Sequence, residues 1–364
     1  MTVLQRIFND HADAWLKSRG GNVPPGQRKV VDAIRQCRTG ARGHHAFACP
    51  DCGQRRLAKS SCGNRHCPVC QNEKAAQWVH RQQLRLLPCN YFLATFTIPE
   101  ALRPLARACP ETVYKAMFDC AAASLRTLEA DPRFVGCRIA GFFGVLHTWG
   151  RQMQYHPHLH FVVPGGGLSR DRARWIPARG DFLVHVRALS ALFRGKMRAA
   201  LEKNGMAGLV PTDVWKTDWV VHCQSVGDGR AVMKYLGAYV ARVAISASRI
   251  ASYDGKTVRV RYQKVGSAKW RFMNLDAPEF IRRFLLHVLP RGFMKIRHSG
   301  FLSPNFGISL QRIREMIGVL YETLRACPVR VRPPRKPRPL RCPQCRAVMT
   351  WIRFLPPRSP ALVT

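Results

Sequence analysis

Short apolar runs bounded by proline or glycine alternate along the chain with longer segments of helical periodicity. Residues 91–98 are rich in aromatic and β-branched side chains and stop at Pro99, which is typical of a strand. Residues 139–147 and 156–163 are two further strand-like runs, joined closely enough to pair as a hairpin. Apolar residues recur at helical spacing over about 111–129, 186–204, 230–243 and 277–289. The pattern predicts an α+β fold in which an antiparallel sheet is flanked by helices.

The same pattern divides the chain into three parts. Residues 1–87 hold a helical lead-in around residues 30–37, a cluster of cysteines and a polar helix. Pro88 ends that polar helix. Residues 88–327 carry the predicted sheet. From residue 328 the composition shifts to proline and arginine, which cannot bury a core, so 328–364 is predicted to be an extended basic tail.

The charge balance limits the classes of function. The 364 residues include 59 Lys and Arg against 21 Asp and Glu, a formal charge of +38. Such an excess indicates a polyanionic partner, because each neutralised phosphate releases condensed counterions. No apolar stretch approaches the roughly 20 residues of a membrane-spanning helix, and the start of the chain lacks the apolar core of a signal peptide. We therefore expect a cytoplasmic protein that binds a nucleic acid, with no membrane and no small-molecule substrate.

The cysteines of the first part are spaced for zinc. Two Cys-x-x-Cys knuckles follow one another, and each presents two thiolates from a tight turn, as tetrahedral zinc requires. The most economical ligand set is Cys49, Cys52, Cys67 and Cys70, with Cys62 and His66 as competing ligands. A closed site of this kind is structural, so it would hold a small DNA-recognition module together. Cys342 and Cys345 form only half of such a site near the C-terminus.

A histidine pair lies on the second strand of the predicted hairpin. Alternate strand residues point to the same face, so His158 and His160 present two imidazoles side by side. Buried imidazoles are costly unless something binds them, which indicates a divalent metal with positions left open for phosphate oxygens. The third ligand stays open between His156 and Gln154, and His147 on the preceding strand is a further possibility.

Two tyrosines four positions apart, Tyr235 and Tyr239, lie on one side of a predicted helix. Packing aromatics would produce the same spacing. Beside a metal, however, a tyrosine hydroxyl can attack phosphorus and give a covalent 5′-phosphotyrosine and a free 3′-OH. The histidine pair and the tyrosine pair together predict an enzyme that cuts single-stranded DNA.

Basic residues near these features are candidates for DNA contact. They are Arg65, Lys234, Arg242, Arg259, Arg261 and Lys269. A solvated surface would give the same pattern, but the overall charge makes contact with the DNA backbone at least as good an interpretation.

Five longer motifs resemble those of a known protein family. They lie at residues 61–68 (SCGNRHCP), 146–150 (LHTWG), 156–160 (HPHLH), 235–246 (YLGAYVARVAIS) and 284–293 (FLLHVLPRGF). Over nearly its whole length the chain resembles the HUH transposases of rolling-circle insertion sequences, the insertion-sequence ninety-one group with two catalytic tyrosines. The resemblance implies a zinc-binding N-terminal domain followed by an HUH endonuclease domain.

The resemblance also implies roles for individual residues. His158 and His160 would be the HUH metal ligands, Tyr235 and Tyr239 the nucleophiles, and Mg²⁺ or Mn²⁺ the metal. Single-stranded element ends and a target site would be the DNA partners. Three other classes compete with this interpretation: a non-catalytic zinc-finger DNA-binding protein, a metal-dependent hydrolase, and an HUH replication initiator or relaxase.

Overall fold

The computed structural model describes residues 1–240, 245–264, 266–320, 333 and 339–357, without the side chains of residues 72, 73, 238 and 239. The helices of this part of the chain are α1 (Val3–Lys17), α2 (Pro25–Gln36), α3 (Pro68–Leu84), α4 (Arg103–Ala108), α5 (Pro110–Glu129), α6 (Val186–Lys203), α7 (Arg230–Val240), α8 (Ala277–Leu285) and α9 (Leu310–Leu320). The strands are β1 (His44–Ala48), β2 (Arg55–Lys59), β3 (Tyr91–Thr97), β4 (Gly141–Trp149), β5 (Tyr155–Pro164), β6 (Gly166–Leu168), β7 (Trp175–Pro177), β8 (Val221–Ser225), β9 (Ile250–Tyr253), β10 (Thr257–Gln263), β11 (Trp270–Asp276), β12 (Ile296–Gly300) and β13 (Thr350–Leu355).

A five-stranded sheet with the order β12-β4-β5-β3-β8 forms the centre of the molecule. Its neighbouring strands are all antiparallel. The predicted hairpin is confirmed as the pair β4 and β5, and β5 occupies the middle of the sheet. The α+β class and the antiparallel central sheet expected from the sequence are confirmed.

The two faces of this sheet bury different side chains. Leu159, Phe161 and Val163 of β5 point into a cluster shared with α4, α5 and α6. Val162 points the other way, into a cluster shared with α3, α7 and α9. Strand alternation therefore places His158 and His160 on the side of α3 and α7.

The N-terminal and C-terminal segments pack across the boundaries expected from the sequence. Side chains of α1 and α2 share an apolar cluster with α8 and with the three-stranded sheet β11-β10-β9. Strand β13 pairs with β1, which also pairs with β2. The end of the chain thus supplies one strand of the cysteine-rich module, a pairing that the predicted division into 1–87, 88–327 and 328–364 does not include.

Among the helices described above, none is both long enough and apolar enough to cross a membrane.

Candidate functional site

Three histidines converge on one face of the central sheet. His158 of β5 lies opposite His147 of β4 and opposite Thr97 of β3, and His160 lies opposite Thr95 of β3. One ring nitrogen from each of His147, His158 and His160 falls within 4.8 Å of the others. The strand register alone therefore assembles a three-imidazole cluster.

The hydrogen bonds of this cluster orient the rings. The Nδ1 atom of His158 lies 2.7 Å from the carbonyl oxygen of His156, and since a carbonyl can only accept, Nδ1 carries the proton. The Nδ1 atom of His160 lies 2.8 Å from the Thr95 hydroxyl. Within the described residues the buried Nε2 atom of His160 has no hydrogen-bond partner. Fixing Nδ1 in this way leaves Nε2 as a lone-pair donor, which is how proteins prepare histidine to bind a metal.

Burial keeps the rings neutral. It lowers the pKa of His158 to about 4 and that of His160 to about 3, and the neighbouring imidazole of His158 lowers the latter further. The pKa of His147 also lies well below its ordinary value, because the ring is buried. Neutral imidazole is the form that binds a metal, so the residues present fit a divalent cation.

The third member of the cluster is His147. His156 does not join the cluster, because its Nδ1 atom lies 3.1 Å from a guanidinium nitrogen of Arg103. Gln154 accepts a hydrogen bond from the backbone of Gln152 at 3.0 Å instead. Of the alternatives open in the sequence, the geometry favours His147, because strand pairing places it opposite His158.

Helix α7 places Tyr235 beside this cluster. The Tyr235 ring is 45% exposed, and its centroid lies 6.0 Å from that of His160. Val232, Met233 and Leu236 of the same helix are buried in the cluster shared with α3. The backbone of Tyr239 lies on the same helix, but its side chain is outside the description, as is the whole of Arg242.

Gly237 fixes how closely α7 approaches α3. A Cβ atom at this position would lie 2.0 Å from Cγ2 of Val79. We expect Gly237→Ala to reduce the free energy of unfolding by up to about 2 kcal/mol, because overpacking costs about 1–3 kcal/mol while alanine recovers about 1 kcal/mol of helix propensity. In urea unfolding, Val79→Ala should offset the loss in the double variant. Strictly additive effects of the two substitutions would contradict the close contact.

A cavity of about 1120 Å³ opens over the three histidines. Tyr235 lines one wall, and Arg249, Tyr262 and Lys264 line another. Among the described residues that line it there is no Asp or Glu. The cavity thus combines imidazoles, a phenol and cations without a carboxylate, a composition suited to a phosphate-bearing ligand.

The cysteines form two clusters rather than one. The first contains Cys37, Cys62, Cys67 and Cys70, and the second contains Cys49, Cys52, Cys342 and Cys345. Three sulfur–sulfur distances within the first cluster are 3.5 to 3.8 Å, and three within the second are 3.3 to 3.6 Å. All eight are free thiols. A tetrahedron with Zn–S bonds of about 2.3 Å has edges of about 3.8 Å, so both clusters fit zinc.

The single zinc-ligand set that the sequence predicted is therefore divided between these two clusters. Cys49 and Cys52 join the C-terminal knuckle, while Cys67 and Cys70 join Cys62 and Cys37. Cys62 is thus a cluster member, as the sequence allowed. Cys37 stands alone in the sequence, at the end of α2, and no spacing signal marked it. The partners of Cys342 and Cys345 lie almost three hundred residues away, which no local motif can indicate.

His66 and Arg65 have a different role from those expected. Nε2 of His66 lies 3.3 Å from the backbone nitrogen of Leu289, so His66 accepts a hydrogen bond there and lies outside both thiol clusters. Arg65 donates to the carbonyl oxygens of Phe293 at 2.8 Å and Pro290 at 2.7 Å. The guanidinium therefore joins the cysteine-rich module to the segment after α8, and its contact with DNA stays a prediction.

The remaining predicted DNA contacts lie on the surface. Lys234 is exposed on α7, and Arg259 and Lys269 are exposed on or beside β10 and β11. Arg261 is half-buried on β10. These four cations are accessible to a polyanion.

Comparisons with known proteins agree with this geometry. A family model described as "Putative transposase" matches residues 141–307, and a second, "Transposase zinc-binding domain", matches residues 7–98. The chain is 40% identical over 335 residues to "Putative transposase y4qJ" of Sinorhizobium fredii, covering 86% of this chain and 83% of that protein. It is 28% identical over 292 residues to "Transposase for insertion sequence element IS801" of Pseudomonas savastanoi pv. phaseolicola, covering 76% and 70%.

No solved structure matches the chain significantly. The first family model spans the strands that carry the histidines and the helix that carries Tyr235, and the second spans the first thiol cluster together with Cys49 and Cys52. The family resemblance noted in the sequence is confirmed: the chain belongs to the IS91 family of insertion-sequence transposases, DNA-processing enzymes with an N-terminal zinc-binding domain.

Proposed function

We propose that this transposase nicks and transfers a single strand of DNA through a 5′-phosphotyrosine intermediate, in a rolling-circle type of transposition. The observation that carries the proposal is the position of Tyr235 beside the three-histidine cluster, with ring centroids of Tyr235 and His160 6.0 Å apart. A phenol, neutral imidazoles and nearby cations in one cavity are the groups that such a reaction needs.

In the proposed step the Tyr235 oxygen attacks the scissile phosphorus. The new P–O bond to tyrosine forms as the bond to the 3′ oxygen breaks, and the phenolic proton is balanced by the proton gained at the leaving 3′-OH. The phosphodiester is exchanged rather than hydrolysed. A later attack by a 3′-OH on the phosphotyrosine reverses the exchange and joins the strand to a new partner, so no external energy source is needed.

His147, His158 and His160 would hold the divalent cation, Mg²⁺ or Mn²⁺. When bound, such a cation polarises the scissile phosphate and stabilises charge on the leaving oxygen. The carbonyl of His156 holds His158 in the metal-binding tautomer, and the Thr95 hydroxyl orients the ring of His160. Lys264, exposed at the cavity wall, is placed to bind a neighbouring phosphate. We assign Tyr239 as the second nucleophile from its position one helical turn beyond Tyr235.

The composition of the cavity argues against a metal-dependent hydrolase. Such enzymes usually use a carboxylate as a ligand or as the base that activates water. Since no Asp or Glu lines the described part of this cavity, a tyrosine nucleophile is the better assignment. An HUH replication initiator or relaxase would share the chemistry, but the relatives of this chain are transposases.

We also propose that the two thiol clusters bind one zinc ion each. A hydrogen bond from the Cys67 thiol lowers the pKa of Cys62 to about 5, and the backbone N–H of Cys345 lowers that of Cys342 to about 7. Each cluster therefore contains a cysteine that readily forms the thiolate required by zinc.

The test is capture of the covalent intermediate. Purified protein is incubated with a labelled single-stranded element end and Mn²⁺, and adducts are separated under denaturing conditions. Wild type should give a protein–DNA adduct, which Tyr235→Phe should reduce and Tyr235→Phe/Tyr239→Phe should abolish. Tyr253→Phe, a tyrosine that donates to Asp10 far from the cavity, is the matched control. Cleavage without an adduct would indicate hydrolysis and overturn the proposal.

A further inference from the structure

The sheet β11-β10-β9 has one buried and one exposed face. Val258 and Val260 of β10 are fully buried against α1 and α8. On the opposite face Trp270 is 49% exposed and Phe272 is 50% exposed, although large aromatic side chains normally occupy a core. Two such rings next to each other on one strand face form an apolar patch that the rest of the fold does not cover.

Arginines lie over both rings. The guanidinium of Arg259 is 4.2 Å from the ring centroid of Phe272, and that of Arg261 is 4.8 Å from Trp270. The strand register produces this arrangement, since Arg261 pairs with Phe272 and Arg259 with Asn274, so each arginine reaches diagonally to the next ring. The exposed face therefore consists of two consecutive arginine–aromatic pairs, roughly 7 Å apart along the strand.

Within the part of the chain that the structure describes, these arginines have no acidic partner. The ion pairs found among the described residues include neither Arg259 nor Arg261. A guanidinium stacked on a ring keeps its in-plane N–H donors available, so each pair offers donors for a phosphate and an aromatic surface for a base. Single-stranded nucleic acid supplies both phosphates and unstacked bases, which match the two arginines and the two rings.

The exposed face continues into the cavity that contains the histidines. Tyr262, Gln263 and Lys264, at the end of β10, line that cavity. Arg151, at the turn between β4 and β5, donates to the carbonyl oxygen of Lys264 at 2.8 Å. Arg249 donates to the carbonyl oxygen of Arg261 at 2.9 Å and also to that of Arg151. These contacts hold the end of β10 against the wall of the cavity.

We propose that this face, formed by Arg259, Arg261, Trp270 and Phe272, is a binding track for single-stranded DNA that leads into the cavity. Bases stack on Trp270 and Phe272, and the arginines contact the adjacent phosphates. The inference rests on the proposed function for the direction of the strand, since it assumes that the scissile phosphate lies at the histidines. It goes beyond that function in assigning a separate surface, with a stacking role for two aromatic residues.

The proposal predicts separate effects of the rings and the cations. In fluorescence anisotropy with a fluorescein-labelled oligodeoxythymidylate and no added divalent metal, Trp270→Ala and Phe272→Ala should each weaken binding about 5- to 150-fold without changing the salt dependence. Arg259→Ala and Arg261→Ala should each lower the slope of log affinity against log salt by about 0.7. Trp270→Phe should retain most of the affinity, because a phenyl ring still stacks.

The control is Phe182→Ala, because Phe182 is 45% exposed and lies outside the track and the cavity. It should bind single-stranded DNA as wild type does. Thermal unfolding verifies that each variant is folded, and Trp270→Leu and Phe272→Leu, which keep an apolar side chain but remove the ring, replace any alanine variant that is not. Unchanged affinity in both ring variants would overturn the track, and so would an equal loss for a duplex of the same length. Because binding is measured without cleavage, this result is independent of whether an adduct forms.

Discussion

Replacing His160 by alanine is expected to abolish divalent-metal binding at the histidine cluster and to reduce adduct formation at least about 100-fold. A metal that polarises a phosphate contributes several kcal/mol to transition-state stabilisation, and each 1.36 kcal/mol is a factor of ten in rate. The loss should appear both in isothermal titration with Mn²⁺ and in the adduct assay. His160→Ala that retains wild-type affinity for Mn²⁺ would contradict the assignment of the cluster.

The same titration decides which histidine is the third ligand. His147→Ala should lose Mn²⁺ binding as His160→Ala does, whereas His156→Ala, the matched control on β5, should retain it. His156 contacts Arg103 instead of the cluster. The opposite result would restore His156, one of the alternatives that the sequence left open.

Thr95 acts on the metal through His160 and is a positioning residue. Thr95→Val preserves the shape of the side chain and removes the hydroxyl that lies 2.8 Å from Nδ1 of His160. We expect affinity for Mn²⁺ to fall about 10- to 100-fold, the usual effect of losing a partner of a ligating histidine. At saturating Mn²⁺ the site should be fully occupied and adduct formation should return. A variant that is merely unfolded would not recover in this way.

Much of the central domain could be predicted because its signals are local. Proline and glycine mark the ends of β3 and β5, strand alternation places His158 beside His160, and helical spacing identifies α7. These features depend on residues close together in the sequence, so a single sequence is sufficient to identify them. The position of β5 at the centre of the sheet also agrees with its continuous apolar run.

The parts that could not be predicted depend on distant contacts. Cys342 and Cys345 become ligand candidates only when the chain ends meet, and Cys37 only when the end of α2 reaches Cys62, Cys67 and Cys70. Helix α1 was not predicted, although Thr2 and Gln5 form a capping box at its start. Arg65 and His66 lie within a cysteine motif, and only the position of segment 289–293 shows that they join two parts of the fold. The deciding partner of Cys342, Cys345, Arg65 and His66 is more than two hundred residues away, whereas Cys37 lies 33 residues from its partner Cys70 and outside any Cys-x-x-Cys spacing.

Replacing the two cysteines of the C-terminal knuckle, Cys342 and Cys345, is expected to have the second large effect, on zinc content. Elemental analysis of wild type should find two zinc ions per chain, and Cys342→Ser/Cys345→Ser should retain one. Since the second cluster takes half of its ligands from each end of the chain, losing it should also release β13 from β1. Structural zinc contributes about 10–16 kcal/mol in small zinc-finger peptides, far more than a short edge strand can replace.

Two measurements separate this effect from general unfolding. Hydrogen exchange should rise in residues 350–355 and 44–48 of the variant and stay unchanged in β5, because the central sheet contains neither thiol cluster. Cys109→Ser/Cys223→Ser, which alters two half-buried cysteines outside the clusters, should keep two zinc ions. Two zinc ions in the Cys342→Ser/Cys345→Ser variant would contradict the second cluster, whereas one zinc ion in wild type and variant alike would favour the single set Cys49, Cys52, Cys67 and Cys70 that the sequence suggested. A fall from two zinc ions to one, together with increased exchange in both strands, would establish that the C-terminal knuckle completes the cysteine-rich module.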